Sequence, residues 1–298
     1  MVGTVPSLAV ITCIARLIRD SSPPDAILFR GPAGMPGLAL MLIPMLSSLS
    51  MERTLGEANG REEELKVRAP AAALRGLRAV LSGIGRLLEC PQLPAQLETY
   101  VGLIKSLNRH QGLQLYPGSP SLAAALLRRG DRARLFELHT EEFEALGSRF
   151  RGERRIKVEQ QDGFRALPGL LPPAQRRALV LIDPPYQRKR DYTAAVTALQ
   201  AAWRRFPAGL YLLWYPVVQR TSIDRLERDL IASGVRDVLL AELAVAPAGR
   251  GGMHASGLII VNPPWTLEPQ LRRLLAFLAT ALGLQGQGSY RLETLVAE

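Results

Sequence analysis

The 298-residue sequence has few of the side chains that bind metals or form disulfides, with only two cysteines and three histidines. Cys13 and Cys90 lie far apart, and the sequence has neither a CxxC pair nor an HExxH segment. The sequence therefore predicts no zinc or other metal site, and two isolated cysteines fit a reducing cytosol. We expect a cytoplasmic protein.

Long apolar runs are also missing. A membrane helix needs roughly 18–20 consecutive apolar residues, whereas the apolar stretch 36–49 is shorter and is interrupted by Pro44. Residues 1–17 have an apolar centre but lack a basic leading region and a clean cleavage site. We expect no membrane span and no targeting signal.

Acidic residues are fewer than basic ones. The sequence has 37 Lys and Arg against 27 Asp and Glu, a net charge of +10 and a pI near 10.2. This balance favours a polyanionic partner, with nucleic acid the first candidate. An alternative is that it reflects only the arginine-rich composition that a GC-rich genome encodes. The length allows one large α/β domain, alone or with an insertion.

From about residue 71, apolar runs typical of buried strands alternate with apolar repeats at helical spacing. This order predicts a doubly wound parallel sheet of the Rossmann-like α/β class. The last two strands have no helix between them, which predicts an antiparallel hairpin at one edge of the sheet. The predicted strands cover 134–138, 155–159, 178–182, 209–216, 238–243 and 257–262; the helices cover 71–88, 95–107, 121–129, 141–149, 192–206, 222–233 and 266–282.

The most informative segment is Asp183-Pro184-Pro185-Tyr186, which follows the apolar run 178–182. Ligands bind at the carboxyl ends of strands in open α/β sheets. A carboxylate and a carbonyl between prolines can accept both hydrogens of an exocyclic amine, while Tyr186 stacks on the ring that bears the amine. The alternative is a strand that ends in an Asx-type turn with a surface tyrosine.

Two further acids follow predicted strands, Glu137 and Asp162. A carboxylate at the end of the second strand of a Rossmann-type sheet can accept both ribose hydroxyls, a role that suits Glu137. Asp162 follows the next strand and could accept the adenine amine of a nucleoside cofactor. Each acid could instead cap a helix or carry a solvated loop charge.

From about residue 79 to the end, the chain resembles the bacterial 23S ribosomal RNA adenine-N6 methyltransferases of the RlmJ type. Family motifs match in the same order and at the same spacing over about three-quarters of the chain. The matching stretches are 82–88, 116–120, 137–139, 162–164, 183–186, 213–217, 255–258 and 262–265.

The resemblance implies a class I fold with a small helical insertion, and S-adenosyl-L-methionine as methyl donor. It implies methylation of adenine N6 at the position usually numbered 2030, by a monomer acting on naked or early-assembly 23S RNA. The cofactor-binding residues would be Ser119, Glu137, Asp162, Gly163 and Asp183; the catalytic residues would be Asp183, Pro184, Pro185 and Tyr186. Ser119 is also predicted to cap the helix that starts with Pro120.

We divide the chain into an atypical segment 1–70, a helical insertion subdomain 71–110 and a methyltransferase domain 111–298. The first segment lacks the family's histidine-rich start and its first strand with a glycine turn. Gly31–Gly37 is glycine-rich but has no acid and too many prolines to replace that turn. Our hypothesis is a frameshift before about residue 75, which the nucleotide sequence would test. Alternatives are a catalytically impaired RNA-binding remnant of the family and a DNA adenine-N6 methyltransferase.

Overall fold

The computed structural model describes residues 9–14, 81–108, 118–184, 186, 188–248 and 252–298. Within these ranges a mixed sheet is covered by helices on both faces. Strands are β1 Ala9–Ile14, β2 Arg132–Glu137, β3 Ile156–Gln160, β4 Ala178–Asp183, β5 Leu210–Val217, β6 Val238–Ala244, β7 Ala255–Val261 and β8 Ser289–Val296. Helices are α1 Arg86–Glu89, α2 Ala95–Leu107, α3 Ser119–Leu126, α4 Thr140–Arg149, α5 Gly163–Ala166, α6 Lys189–Arg205, α7 Arg220–Ala232 and α8 Leu267–Leu282.

The described strands form one sheet in the order β3-β2-β1-β4-β5-β7-β6-β8. The pairs β2–β3 and β4–β5 are parallel. The helix α4 connects β2 to β3, and α6 connects β4 to β5. The buried run of β4 explains its central place, since parallel strands covered on both faces need apolar side chains throughout. The predicted doubly wound α/β architecture is confirmed.

The middle of the sheet differs from expectation. The sequence pattern predicts no strand in residues 1–70. That prediction is wrong, because β1 lies between β2 and β4 and pairs with both. Both pairings are antiparallel, so β1 begins where β4 ends, with Ala9 opposite Asp183.

The expected hairpin of β6 and β7 is present and antiparallel. Its place was predicted wrongly, because β7 inserts between β5 and β6, and β8 occupies the edge. The sequence did not reveal β8, whose side chains are half-buried or exposed and therefore lack a strong apolar pattern.

Two apolar layers cover the sheet. One contains residues of α2, α3 and α8, such as Tyr100, Leu122 and Leu274, together with one face of the strands. The other contains α6 and α7, whose buried residues, such as Leu199 and Leu226, recur at helical spacing. Residues 84–104 therefore share a core with the sheet, and the division at 71–110 stays a prediction. None of the described helices is long and apolar enough to cross a membrane.

Close packing fixes one glycine in β7. A Cβ added to Gly257 would lie 2.1 Å from the ring of its cross-strand partner Tyr215. The Tyr215 hydroxyl donates to Glu242 Oε1 at 2.9 Å, and the same carboxylate accepts from Arg220 Nη1 at 2.8 Å. This polar network, in which Tyr215 and Glu242 are buried, joins β5, β6 and α7.

Candidate active site

The three predicted acids lie at the same end of the sheet, where β2, β3 and β4 finish. Glu137 ends β2 and pairs with Gln160, the last residue of β3, so these two strands stop level. Asp183 ends β4 and is opposite Ala9, while Phe136 is opposite Val10. Glu137 and Asp183 therefore stand on strands two positions apart, about 10 Å at ordinary strand spacing.

Glu137 is buried, with only 5% of its surface exposed. Its Oε1 accepts a hydrogen bond of 2.8 Å from the backbone N–H of His139, which fixes the carboxylate at the turn after β2. A buried carboxylate that is held in this way is pre-organised to accept hydroxyl donors. The buried Nε2 of His139 has no hydrogen-bond partner among the described residues.

Asp162 is the N-cap of the short helix α5. Its Oδ1 accepts from the backbone N–H of Phe164 at 2.9 Å, and Oδ2 lies 3.6 Å from Arg165 Nε. The capping alternative weighed for each acid therefore holds for Asp162. Gly163 is buried beside it, at the same edge as Glu137.

Ser119 lies at the start of α3, two residues before the predicted helix start. The N-cap of α3 is Gly118, so the prediction that Ser119 caps this helix is wrong. Proline in the first turn fits its fixed φ, as expected. Leu122 and Ala123 of α3 belong to the same apolar layer as Leu135 of β2, which brings this helix to the face of the sheet.

The corner after β4 holds Tyr186 in an uncommon conformation. Asp183 is half-buried and Pro184 is buried, while Pro185 lies outside the described residues. Tyr186 has a φ of 45°, in the left-handed region that side chains other than glycine rarely occupy. Such outliers persist where the surroundings determine them, and they cluster at functional sites.

Contacts from two elements fix the Tyr186 side chain. Its hydroxyl donates to the backbone carbonyl of Trp214 in β5 at 2.5 Å. Its ring centroid lies 4.4 Å from that of Tyr192 in α6 and 5.9 Å from that of Trp214. Burial, and then the nearby charge of Asp183, raise the pKa of Tyr186 well above its ordinary value, so the phenol remains a donor at neutral pH.

Trp214 and Tyr192 are site residues to which the sequence analysis assigned no role. Trp214 is 9% exposed, and its indole N–H has no hydrogen-bond partner within the described ranges. The Tyr192 hydroxyl donates to the carbonyl of Pro216 at 3.2 Å. Both lie in predicted elements, but their contacts with Tyr186 depend on how β4, β5 and α6 pack.

The strand order β3-β2-β1-β4-β5-β7-β6, the antiparallel β7 and the acids at the ends of β2 and β4 are those of a class I methyltransferase. The direction of β1 differs from that class. Residues 76–296 match the family model described as ribosomal RNA large subunit methyltransferase D, RlmJ. The chain belongs to this RlmJ family of methyltransferases. The resemblance inferred from the motifs is thus confirmed, including its start near residue 79.

Two relatives share the family. Ribosomal RNA large subunit methyltransferase J of Escherichia coli is 46% identical over 219 residues, which cover 73% of this chain and 78% of the relative. Its counterpart in Haemophilus influenzae is 44% identical over 218 residues, 72% of this chain and 78% of the relative. A crystal structure of a Legionella pneumophila protein is similar with a TM-score of 0.72 and 28% identity, covering 89% of this chain and 98% of that one.

Proposed function

We propose that this chain transfers a methyl group from S-adenosyl-L-methionine to N6 of an adenine in 23S ribosomal RNA, adenine 2030 by its resemblance to the family. The observation that carries the proposal is the corner after β4. There a half-buried carboxylate, Asp183, is followed by Pro184 and by a fixed aromatic ring, Tyr186. The names of the relatives support ribosomal RNA of the large subunit as the substrate.

The residues at the corner can orient an amine. The Asp183 carboxylate and the Pro184 carbonyl would each accept a hydrogen bond from one N–H group of the adenine amine. The nitrogen lone pair would then point out of the plane of the base. Tyr186 would stack on the base, its ring held by the hydrogen bond to Trp214. Orientation of this kind supplies a large part of the acceleration in a two-reactant step. The proton that the amine loses would pass to Asp183 or to water.

The residues present fit the nucleoside half of the cofactor. Glu137 would accept the ribose hydroxyls, Asp162 the adenine amine, and Ser119 and Gly163 would complete the contact. The burial of Glu137 and the unpartnered Nε2 of His139 beside it within the described structure support a polar ligand there. When bound, S-adenosyl-L-methionine would supply the electrophilic methyl group.

The direction of β1 favours a second candidate, a catalytically impaired RNA-binding member of the family. In a Rossmann-type sheet the first strand ends at the cofactor edge and a glycine turn follows. Here β1 begins at that edge, opposite Asp183. The glycine-rich stretch Gly31–Gly37 lies outside the described residues. An impaired member would bind RNA without methylating it.

Calorimetric titration with S-adenosyl-L-methionine tests both candidates. The proposed enzyme binds the cofactor, and Glu137→Ala weakens binding by about 1.5–3 kcal/mol, because a pair of charge-assisted hydrogen bonds is lost. Glu268→Ala removes an equal charge from the exposed face of α8 and should leave affinity unchanged. Equal affinities for the wild type and Glu137→Ala would contradict the role of Glu137.

Transfer of radiolabelled methyl to unmodified 23S RNA then separates the substrates. Label in RNA adenine supports the enzyme, while label in duplex DNA would favour the DNA methyltransferase alternative. Binding of RNA without cofactor binding or transfer would favour the impaired member.

A further inference from the structure

Three consecutive cations follow the Asp183 corner. Arg188, Lys189 and Arg190 are all exposed, and they occupy the N-cap and the first two positions of α6. Within the described part of the chain, none of the three forms an ion pair. The first turn holds a single acid, Asp191, whose Oδ2 accepts the backbone N–H of Arg188 at 2.7 Å.

This placement does not serve the stability of the helix. The N-terminus of a helix carries a partial positive charge, so cations in the first turn are unfavourable there and favourable in the last turn. The last turn of α6 follows that rule, with Arg204 and Arg205. The cations of the first turn therefore need another reason, and an external anion would supply one.

The cluster borders the proposed base site. Tyr192 lies in the next turn of α6, and its ring is 4.4 Å from that of Tyr186. Another exposed cation lies on α5, a helix that contacts α6. This is Arg165, whose side chain is 90% exposed and whose Nε lies 3.6 Å from Asp162 Oδ2. The three cations of α6 thus lie between the corner where the target base would enter and a residue that packs on Tyr186.

We propose that Arg188, Lys189 and Arg190 bind phosphates of the RNA strand next to the target adenine. The inference rests on the proposed function for the identity of the polyanion. A base inside a duplex cannot reach a pocket, so the strand around it must be unpaired or its base flipped. Phosphate contacts beside the pocket would hold that strand in register without reading its sequence.

The test compares two triple variants that lose the same charge. R188A/K189A/R190A neutralises the cluster, while R204A/R228A/R273A neutralises three exposed arginines on α6, α7 and α8. Arg204 lies at the far end of α6, about 25 Å away at the helical rise per residue. Affinity for in vitro transcribed 23S RNA is measured for each variant between 50 and 200 mM salt, a range over which a protein that makes about six to ten phosphate contacts loses about 10³–10⁵ in affinity.

We expect the cluster variant to bind RNA more weakly at every salt concentration in this range. The slope of log affinity against log salt is negative, and each lost phosphate contact with a single strand reduces its magnitude by about 0.7, so the loss of three contacts reduces it by about 2. The control variant should keep the wild-type slope. The melting temperature of the cluster variant should equal or exceed that of the wild type, since an unfavourable charge arrangement is removed.

Equal slopes for the two triple variants would overturn the proposal, because the effect would then be one of net charge alone. A wild-type slope in the cluster variant would overturn it as well. The proposed function is tested separately. If the cluster variant loses RNA binding but the wild type transfers no methyl group, the phosphate-binding surface is supported and the proposed activity is contradicted.

Discussion

The chain makes two corners of similar sequence, Asp183-Pro184-Pro185-Tyr186 after β4 and Asn262-Pro263-Pro264-Trp265 after β7. Each has an acid or amide, two prolines and an aromatic residue, and each follows a buried strand. Because β5 and β7 are antiparallel, β7 ends beside the start of β5. The two corners therefore lie at opposite ends of the strands.

The corner after β7 is held by the side chain of its first residue. Both hydrogens of the Asn262 side-chain amide are used, since Nδ2 donates to the carbonyls of Pro207 and Gly209 at 2.6 Å each. Asn262 has a φ of 57°, a conformation that asparagine tolerates better than most residues. The corner after β7 thus fastens β7 to the loop before β5.

The aromatic residues differ in the same sense. Tyr186 is half-buried and is fixed by its hydroxyl and by two neighbouring rings, whereas Trp265 is 77% exposed. The sequence motif alone therefore does not define a site. What separates the two corners is the end of the sheet at which each lies and how firmly its aromatic ring is held.

The largest expected effect is that of Asp183→Ala. Methyl transfer should fall at least about 10²-fold, the loss typical when one preorganised polar contact to the reacting group is removed. Cofactor affinity and fold should be nearly intact. The measurement is turnover in a radiolabelled methyl assay, with calorimetry for the cofactor. Asp224→Ala, an exposed acid on α7, is the control; unchanged turnover in Asp183→Ala would refute the assignment.

Asn262→Ala should act on stability instead. Two hydrogen bonds are lost and alanine is strained at positive φ, so the free energy of unfolding should fall by about 1–3 kcal/mol. Chemical denaturation measures it. The rate of methyl transfer per folded molecule should stay at the wild-type value; a fall similar to that of Asp183→Ala would mean that the two corners do not differ as described.

Tyr186→Phe should have a smaller effect. The ring remains, while the hydrogen bond to the Trp214 carbonyl is lost, at a cost of about 0.5–1.5 kcal/mol in the free energy of unfolding. A looser ring should lower turnover several-fold without changing cofactor affinity. Trp265→Phe likewise keeps an aromatic ring in the other corner, and steady-state kinetics should show no effect there. Equal turnover in both variants would end the idea that the fixed ring matters.

Much of this arrangement follows from local sequence. The apolar run of β4 and the prolines after it locate the corner, and the acids that follow predicted strands place Glu137 and Asp162 at the same edge. The start of α3 and the edge strand β8 were missed, since a cap depends on one or two dihedral angles and an edge strand buries little.

Tertiary contacts could not be predicted from local patterns. The hydrogen bond from Tyr186 to Trp214 joins the corner after β4 to β5. Likewise, Asn262 differs from Asp183 through bonds to Pro207 and Gly209, which depend on the pairing of β5 with β7. The direction of β1 has no local signal, because six residues can pair either way.

The position of β1 has a consequence for folding. Val10 pairs with Phe136 and with Ile182, both distant along the chain, whereas β6 and β7 pair across a short loop. Distant pairings pay more loop-closure entropy and form late. The middle strand of the sheet should therefore be among the last to join, and until it does, β2 and β4 expose bare backbone edges that another extended chain could occupy.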